Sequence, residues 1–311
     1  MSEPRQPTAD TVRRQAAAAL SAAGIDSAAA EAAELVAHEL GVEPGRLLLI
    51  DEVTDAQRRR IEHAVALRAE RIPLQHITAR AHFAGLELIV GPGVFVPRPE
   101  TELLVEWALA RIAAPGSPRP VHVVDLCSGS GALALAIAAA APTATVTAVE
   151  RSTVAADYLR RNVEAQHLTG RVRIALADAT DGAAMAPLLQ TASIVVSNPP
   201  YVPAASPVSP EVAHDPPEAV FSGASGMDVI AAMAPILAAA TPPGCAVAIE
   251  HDDTTSDQVV DALRRAGGLE QVQAHHDLAG RPRFVSAVRP GGRGDERRAP
   301  EPDDGVEGWT A

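Results

Sequence analysis

Lysine is absent from all 311 residues, so every side-chain cation outside histidine is an arginine. That bias carries no mechanism, but the charge balance does. Thirty-nine acidic residues against 26 basic ones leave a formal net charge of -13. A protein that grips a nucleic-acid backbone over a broad surface needs a basic face, so only a local basic patch remains open. Aromatics are scarce at 3%, and with an ordinary 47% hydrophobic fraction the core must be built from Ala, Val, Leu and Ile. Two cysteines, Cys127 and Cys245, cannot make a disulfide framework, and neither sits in a metal-type cluster. This points to a reducing, cytoplasmic compartment and to no metal. The longest apolar runs, near 132–141 and 230–240, are too short to span a bilayer. The N-terminus, opening with Glu3, Pro4 and Arg5, has no cationic segment followed by an apolar core, so no signal peptide and no membrane partner are expected.

What is present divides the chain. Residues 1–9 are polar and proline-bearing and are expected to fray. Helical spacing of Val12, Ala16 and Leu20 predicts a helix over 10–23 with Gly24 as its stop, and a second follows over 27–40, closed by Gly41. After a short piece at 43–49, Thr54 or Asp55 caps a third helix through 71, ended by Pro73. His38 and His63 read as surface or core-edge residues. Residues 1–80 are therefore an all-helical domain, expected to dock the substrate. Over 81–96, Leu86, Leu88 and Val90 alternate before a Gly91-Pro92-Gly93 turn and Val94-Phe95-Val96, which predicts a β-hairpin linker. Pro97-Arg98-Pro99-Glu100-Thr101-Glu102 then leads a helix; an ordinary helix start and a lid edge both fit.

From Val121 onward strands and helices alternate. Strands are expected at 121–126, 145–149, 172–176, 194–196 and 245–249, with a closing pair at 270–275 and 283–288. Helices are expected at 131–141, 153–166, 228–240 and 256–266. Continuous apolar strands each followed by a helix imply a parallel sheet covered on both faces, with ligands at the carboxyl ends of its strands. This sheet domain spans 97–289. Residues 290–311 are Gly, Pro and charge, and disorder is expected there.

The stretch that carries chemistry is Asn198-Pro199-Pro200-Tyr201, at the end of the Ile194-Val195-Val196 strand. Two successive residues each precede a proline, which holds the backbone extended, and proline offers a carbonyl without a competing N–H. The Asn198 side chain and the adjacent carbonyls become a pair of acceptors aimed at one spot. Two acceptors suit a substrate NH₂ group, and Tyr201 can stack on a planar amide or base. A plain strand-ending turn is the bland alternative.

Asp125-Leu126-Cys127-Ser128-Gly129-Ser130-Gly131 follows the first parallel strand and opens a helix, so its glycines allow a tight turn and close backbone approach to a ligand. With Ala134 it also satisfies a dinucleotide fingerprint. Glu150 ends the next strand, where an acidic residue can hold a ribose diol of either NAD or S-adenosylmethionine. Asp178, with the Ala179 backbone, can receive an adenine amino group, or can simply cap a turn. The acceptor pair on the fourth strand separates the cofactors, because a hydride-transfer enzyme has no use for it there.

The order of glycine loop, acidic residue, Asp178 and Asn-Pro-Pro-Tyr resembles the class I S-adenosylmethionine-dependent methyltransferases of amino groups. Phe95 to Glu102, Ser222-Gly223-Ala224-Ser225-Gly226-Met227-Asp228 and Asp277-Leu278-Ala279-Gly280-Arg281-Pro282-Arg283 narrow this. They look like the bacterial release-factor glutamine methyltransferase family, over residues 10–289. The resemblance implies an α/β fold with a Rossmann-like methyltransferase sheet. It implies transfer to the side-chain amide nitrogen of the Gly-Gly-Gln glutamine of peptide chain release factors, by a monomer that does not bind nucleic acid directly. It implies that Cys127, Ser128, Gly129, Ser130, Gly131, Glu150, Asp178, Ala179 and Asn198 contact the cofactor. Asn198, Pro199, Pro200 and Tyr201 would hold the glutamine, with Phe95 and Arg98 beside it. Glu250-His251-Asp252 departs from the family's usual Glu-Ile-Gly, and His76 stands where Tyr is common. Rival readings are a ribosomal-protein glutamine methyltransferase, an amino-group methyltransferase on nucleic acid, and a non-catalytic cofactor-binding or release-factor-binding module.

Overall fold

The computed structural model describes residues 6–114 and 120–291; the disorder expected at 290–311 falls almost wholly outside that range. The chain begins with α1 (Ala9–Ala22), whose buried residues Ala9, Val12, Ala16 and Leu20 recur at helical spacing. Thr8 caps it, its side chain accepting from the Thr11 amide, so order begins earlier than the fraying expected to residue 9. Next come α2 (Ala28–Leu40), closed by a left-handed Gly41, and α3 (Asp55–Ala69), opened by a Thr54–Gln57 capping box. Leu20, Leu35, Val36, Leu47, Val53 and Ile61 fill the space between them. Pro73 does not simply end α3. The helix stops at Ala69, and Pro73 opens a further short helix, α4 (Leu74–Thr78).

The hairpin is shorter than expected and turns elsewhere. Strands β1 (Arg80–Phe83) and β2 (Leu86–Ile89) pair antiparallel through Ala84 and Gly85, both at positive φ (46° and 79°). Residues 94–96 form no strand, because the Val96 amide donates to the Asp215 carboxylate at 3.2 Å instead of to a ladder. A turn at Pro99–Thr101 then leads into α5 (Glu102–Ala113).

Seven strands make the main sheet: β3 (Val121–Leu126), β4 (Ala144–Glu150), β5 (Val172–Leu176), β6 (Ile194–Ser197), β7 (Ala246–Glu250), β8 (Glu270–His276) and β9 (Pro282–Val288). Their order is β5-β4-β3-β6-β7-β9-β8. The first five are parallel, but β9 runs antiparallel to β7 and β8 antiparallel to β9, so the sheet is mixed. The connection between β8 and β9 is too short for the crossover a parallel pair requires. Covering helices are α6 (Ala132–Ala140), α7 (Thr153–Ala165), α8 (Gly182–Leu189), α10 (Asp228–Ala240) and α11 (Ser256–Arg265), with a one-turn α9 (Pro217–Val220). Chain order reverses between β3 and β6, which opens a crevice at their carboxyl ends.

Two polar ties join the parts. Asn162 of α7 is fully buried; its Oδ1 accepts from the Ile89 amide, and its Nδ2 donates to the carbonyls of Ile89 (2.9 Å) and Ser130 (3.0 Å). Buried Arg68 of α3 meets Glu31 of α2 and, at 3.0 Å, Glu211 in the loop after β6, which Arg71 also reaches at 2.9 Å.

Candidate active site

The glycine loop is drawn tight by its own backbone. Ser128 donates its amide to the Val149 carbonyl at 3.0 Å and its hydroxyl to the Asp125 carbonyl at 2.8 Å, and Gly131 donates to the Ser128 carbonyl at 2.8 Å. Cys127, Gly129 and Gly131 all take positive φ (60°, 54° and 90°). The glycines are needed for different reasons. A Cβ on Gly129 would meet nothing within 4 Å, so that position opens onto free space, whereas one on Gly131 would lie 2.3 Å from Leu159 Cδ1. Gly131 therefore serves packing of α7, and it is not among the residues that line the cavity.

Glu150 closes the loop from the next strand. Its Oε2 accepts from the Gly129 amide at 2.8 Å and its Oε1 from Ser152 at 2.7 Å, leaving lone pairs on both oxygens for a ligand. Below it, Asp125 is fully buried; Oδ2 accepts from the Ala134 amide, and Oδ1 has no hydrogen-bond partner. Burial pushes its carboxyl up to about 7. Desolvation, with the Glu150 and Asp125 carboxyls close by, pushes the Cys127 thiol up to about 12, which favours the neutral thiol over the thiolate.

At the end of β5, Asp178 makes the turn that the sequence also allowed. Its Oδ1 accepts from the Thr180 hydroxyl (2.7 Å) and amide (2.8 Å), and these bonds hold the carboxyl below its ordinary range. Oδ2 faces Arg151 at 3.7 Å. Asp178 and Ala179 both face the cavity.

Opposite the glycine loop stands the Asn198–Tyr201 turn. Ser197 locks the end of β6 to β3 by donating to the Leu126 carbonyl at 2.9 Å. Asn198 donates Nδ2 to the Thr101 hydroxyl oxygen at 3.0 Å, which leaves its Oδ1 as the free end of the carboxamide. Tyr201 donates its hydroxyl to Glu250 Oε1 at 3.2 Å. Burial and that carboxylate raise the phenol well above its ordinary range, so it stays neutral.

A third wall comes from the segment before α5. The Arg98 guanidinium lies 4.9 Å from the Phe95 ring centroid and donates to Asp215, whose other oxygen takes the Val96 amide. The Asp215 side chain has no exposure, and burial raises its carboxyl even against Arg98.

One cavity thus gathers Phe95 and Arg98, Cys127 to Ser130, Glu150, Asp178 and Ala179, and Asn198 to Tyr201. Thr101, Asp215, Arg151 and Glu250 were not singled out by the sequence as site residues. An Asp-Pro-Pro at 215–217, matching Asn-Pro-Pro, was the available signal for Asp215. No residue of Glu250-His251-Asp252 lines the cavity, and neither does His76, so these departures leave its lining unchanged. Among the described residues, no helix is long and apolar enough to cross a membrane.

Family models match the chain twice: the PrmC N-terminal domain over residues 11–78, and the methyltransferase small domain over 92–215. A release factor glutamine methyltransferase of Mycolicibacterium smegmatis is 46% identical over 280 residues, covering 90% of this chain and 97% of that one. One from Corynebacterium glutamicum is 44% identical, covering 88% and 96% respectively. Among solved structures, the hMettl16 catalytic domain in complex with MAT2A 3'UTR hairpin 6 superposes with a TM-score of 0.51. It is 12% identical, covers 76% of this chain and 82% of that one, and shows the fold alone. With whole-length likeness of this order, a mixed methyltransferase sheet and the helical N-terminal unit, the chain belongs to the release factor glutamine methyltransferase family.

Proposed function

We propose that this enzyme methylates the side-chain amide nitrogen of the glutamine in the Gly-Gly-Gln loop of peptide chain release factors, using S-adenosylmethionine. The observation that carries the reading is that Asn198, with its Nδ2 held by Thr101, shares one cavity with the open face of Gly129. The residues present fit the cofactor. Gly129 leaves room that a side chain would take, Glu150 keeps acceptor capacity for a ribose diol, and Asp178 with Ala179 offers acceptor and backbone to an adenine edge. Cys127, Ser128 and Ser130 complete that wall. Bound there, S-adenosylmethionine supplies a methyl group on a positively charged sulfur.

An amide nitrogen is a poor nucleophile because its lone pair is delocalised. Asn198 Oδ1 and the Pro199 carbonyl can each accept one of its N–H groups, which raises electron density on nitrogen and stops its rotation. Pro199 and Pro200 cannot compete as donors. Tyr201, neutral, offers a flat surface beside the amide, with Phe95 and Arg98 on the far wall. Positioning and preorganised dipoles supply most of the rate, and the nitrogen's proton leaves to water after transfer. The helical unit at 1–80 docks the release factor. The reading carries with it a cytoplasmic monomer with no direct nucleic-acid contact, in keeping with a net charge of -13.

The test is incubation with purified release factors and ribosomal fractions in the presence of labelled S-adenosylmethionine, followed by mass mapping. Label on the Gly-Gly-Gln glutamine is expected. Label confined to a ribosomal protein or nucleic acid, or none at all, overturns the reading.

A further inference from the structure

We propose that Thr101 and Glu250 are positioning residues for the transfer, Thr101 setting which end of the Asn198 carboxamide meets the substrate and Glu250 anchoring Thr101 and Tyr201 from behind. This rests on Asn198 acting as the acceptor for the substrate NH₂. A carboxamide has two ends of nearly equal size and opposite polarity, and only the oxygen can serve that substrate. What chooses between them is the neighbour that holds the nitrogen. Thr101, 3% exposed, receives Asn198 Nδ2 at 3.0 Å. Glu250, 4% exposed, accepts from Tyr201 at 3.2 Å and lies near enough to the Thr101 hydroxyl for that group to lower its carboxyl.

The polarity of this chain follows from counting protons. An ionised carboxyl only accepts, so the Thr101 proton turns toward Glu250 and the Thr101 lone pairs are left for Asn198 Nδ2. The carboxamide oxygen then faces the cavity. Because Glu250 does not line the cavity, it touches neither substrate nor cofactor. Its Oε2 has no hydrogen-bond partner among the described residues, so an apolar or neutral side chain there would leave fewer buried groups unpaired. A carboxylate at this place has a use beyond packing.

Protonation reverses the chain. Burial pushes the Glu250 carboxyl up to about 7, against hydrogen bonds from Thr101 and Tyr201 that lower it. Glu100 from the turn before α5 raises it further, Arg283 of β9 lowers it, and Asp252 with Glu100 faces Tyr201. His251, next in the chain, is itself lowered by burial and carries little charge. A protonated Glu250 donates to Thr101, which frees the Thr101 proton for Asn198 and turns Nδ2 toward the substrate. Turnover should fall as the pH drops through about 7.

The experiment measures kcat and KM for a release factor, cofactor Kd and melting temperature in wild type, Thr101→Val, Thr101→Ser and Glu250→Gln. Thr101→Val should lose roughly 10- to 100-fold in kcat, the scale of a misplaced reacting group, with cofactor Kd unchanged. Thr101→Ser should recover most of that loss. Glu250→Gln should lower kcat and abolish the acid limb. Asp125, a cavity carboxyl also pushed up to about 7, is present in both proteins, so a limb lost in the variant belongs to Glu250. Wild-type kcat in Thr101→Val, or an acid limb retained in Glu250→Gln, overturns the positioning role. A wild-type protein that methylates no release factor overturns the proposed reaction instead, and with it the basis of this one.

Discussion

The carbonyl oxygen of Tyr201 stands 2.1 Å from where a Cβ on Gly226 would lie, and Gly226 holds a φ of 79°. The loop after the acceptor turn therefore folds back against the turn's own backbone. Gly226→Ala has no room and the wrong dihedral preference. It should push the Tyr201 carbonyl, and with it the tyrosine ring, out of place. A kcat loss of about 100-fold is expected from a displacement near 1 Å, with cofactor affinity retained. Steady-state kinetics beside a cofactor titration check this, and a fully active alanine variant would refute it.

Asn198→Ala removes the acceptor while leaving the prolines that stiffen the turn. Turnover should fall below detection, and the melting temperature should move only by the few degrees that about 1 kcal/mol allows in a chain of this size. Near-normal methylation of a release factor by this variant would exclude Asn198 from its role.

The two loop glycines should fail differently. The Cβ of Gly129→Val meets no neighbouring atom within 4 Å, so its strain of about 1–2 kcal/mol is mainly local while the new side chain extends into the cavity. Cofactor binding should weaken more than ten-fold at a modest stability cost. Gly131→Val collides with Leu159 and Leu135 and should chiefly lower the melting temperature. Equilibrium binding and thermal melts on both variants separate the outcomes; equal loss of cofactor affinity would refute the distinction.

Arg68 is the cation that lets Glu31 and Glu211 approach one another inside the domain junction. Arg68→Met takes one partner from each carboxylate but leaves Glu211 with Arg71 and Glu31 with the Ser27 hydroxyl, so the loss should be roughly 1–3 kcal/mol. Burial raises the Glu211 carboxyl, but its own backbone amide, Arg68 and Arg71 hold it below its ordinary value. Its contribution is therefore present above the ordinary carboxylate range and lost as the pH falls through the lowered folded value. Melting temperature against pH should show this acid loss in wild type and a shallower one in Arg68→Met. Parallel curves would exclude Glu211 as its source.

Local pattern made much of the fold legible. Continuous apolar strands such as Val121–Leu126, and the Asp228–Ala240 helix, match in full because they are buried on the faces their periodicity predicts. Helix α8 has little periodic signal: only Met185 and Leu189 are buried, and Pro187 lies inside it. The direction of the closing pair is legible only from its short connection, which excludes a crossover, because strand composition carries no direction. In the site, residues within the glycine loop and the acceptor turn could be read because their chemistry is contiguous. For Asp215 the Asp-Pro-Pro pattern is a hint but its role is not legible, since its partners Val96 and Arg98 lie more than a hundred positions away and meet it only in the folded chain. Thr101 sat in a recognised stretch, yet nothing local says that its hydroxyl receives Asn198.

Asn162 joins the hairpin, through both backbone groups of Ile89, to the carbonyl of Ser130 in the glycine loop. The segment between the two halves of the chain is thus fastened to the floor of the cavity and is no free tether. Strain applied at the helical end would reach the Ser130 wall directly.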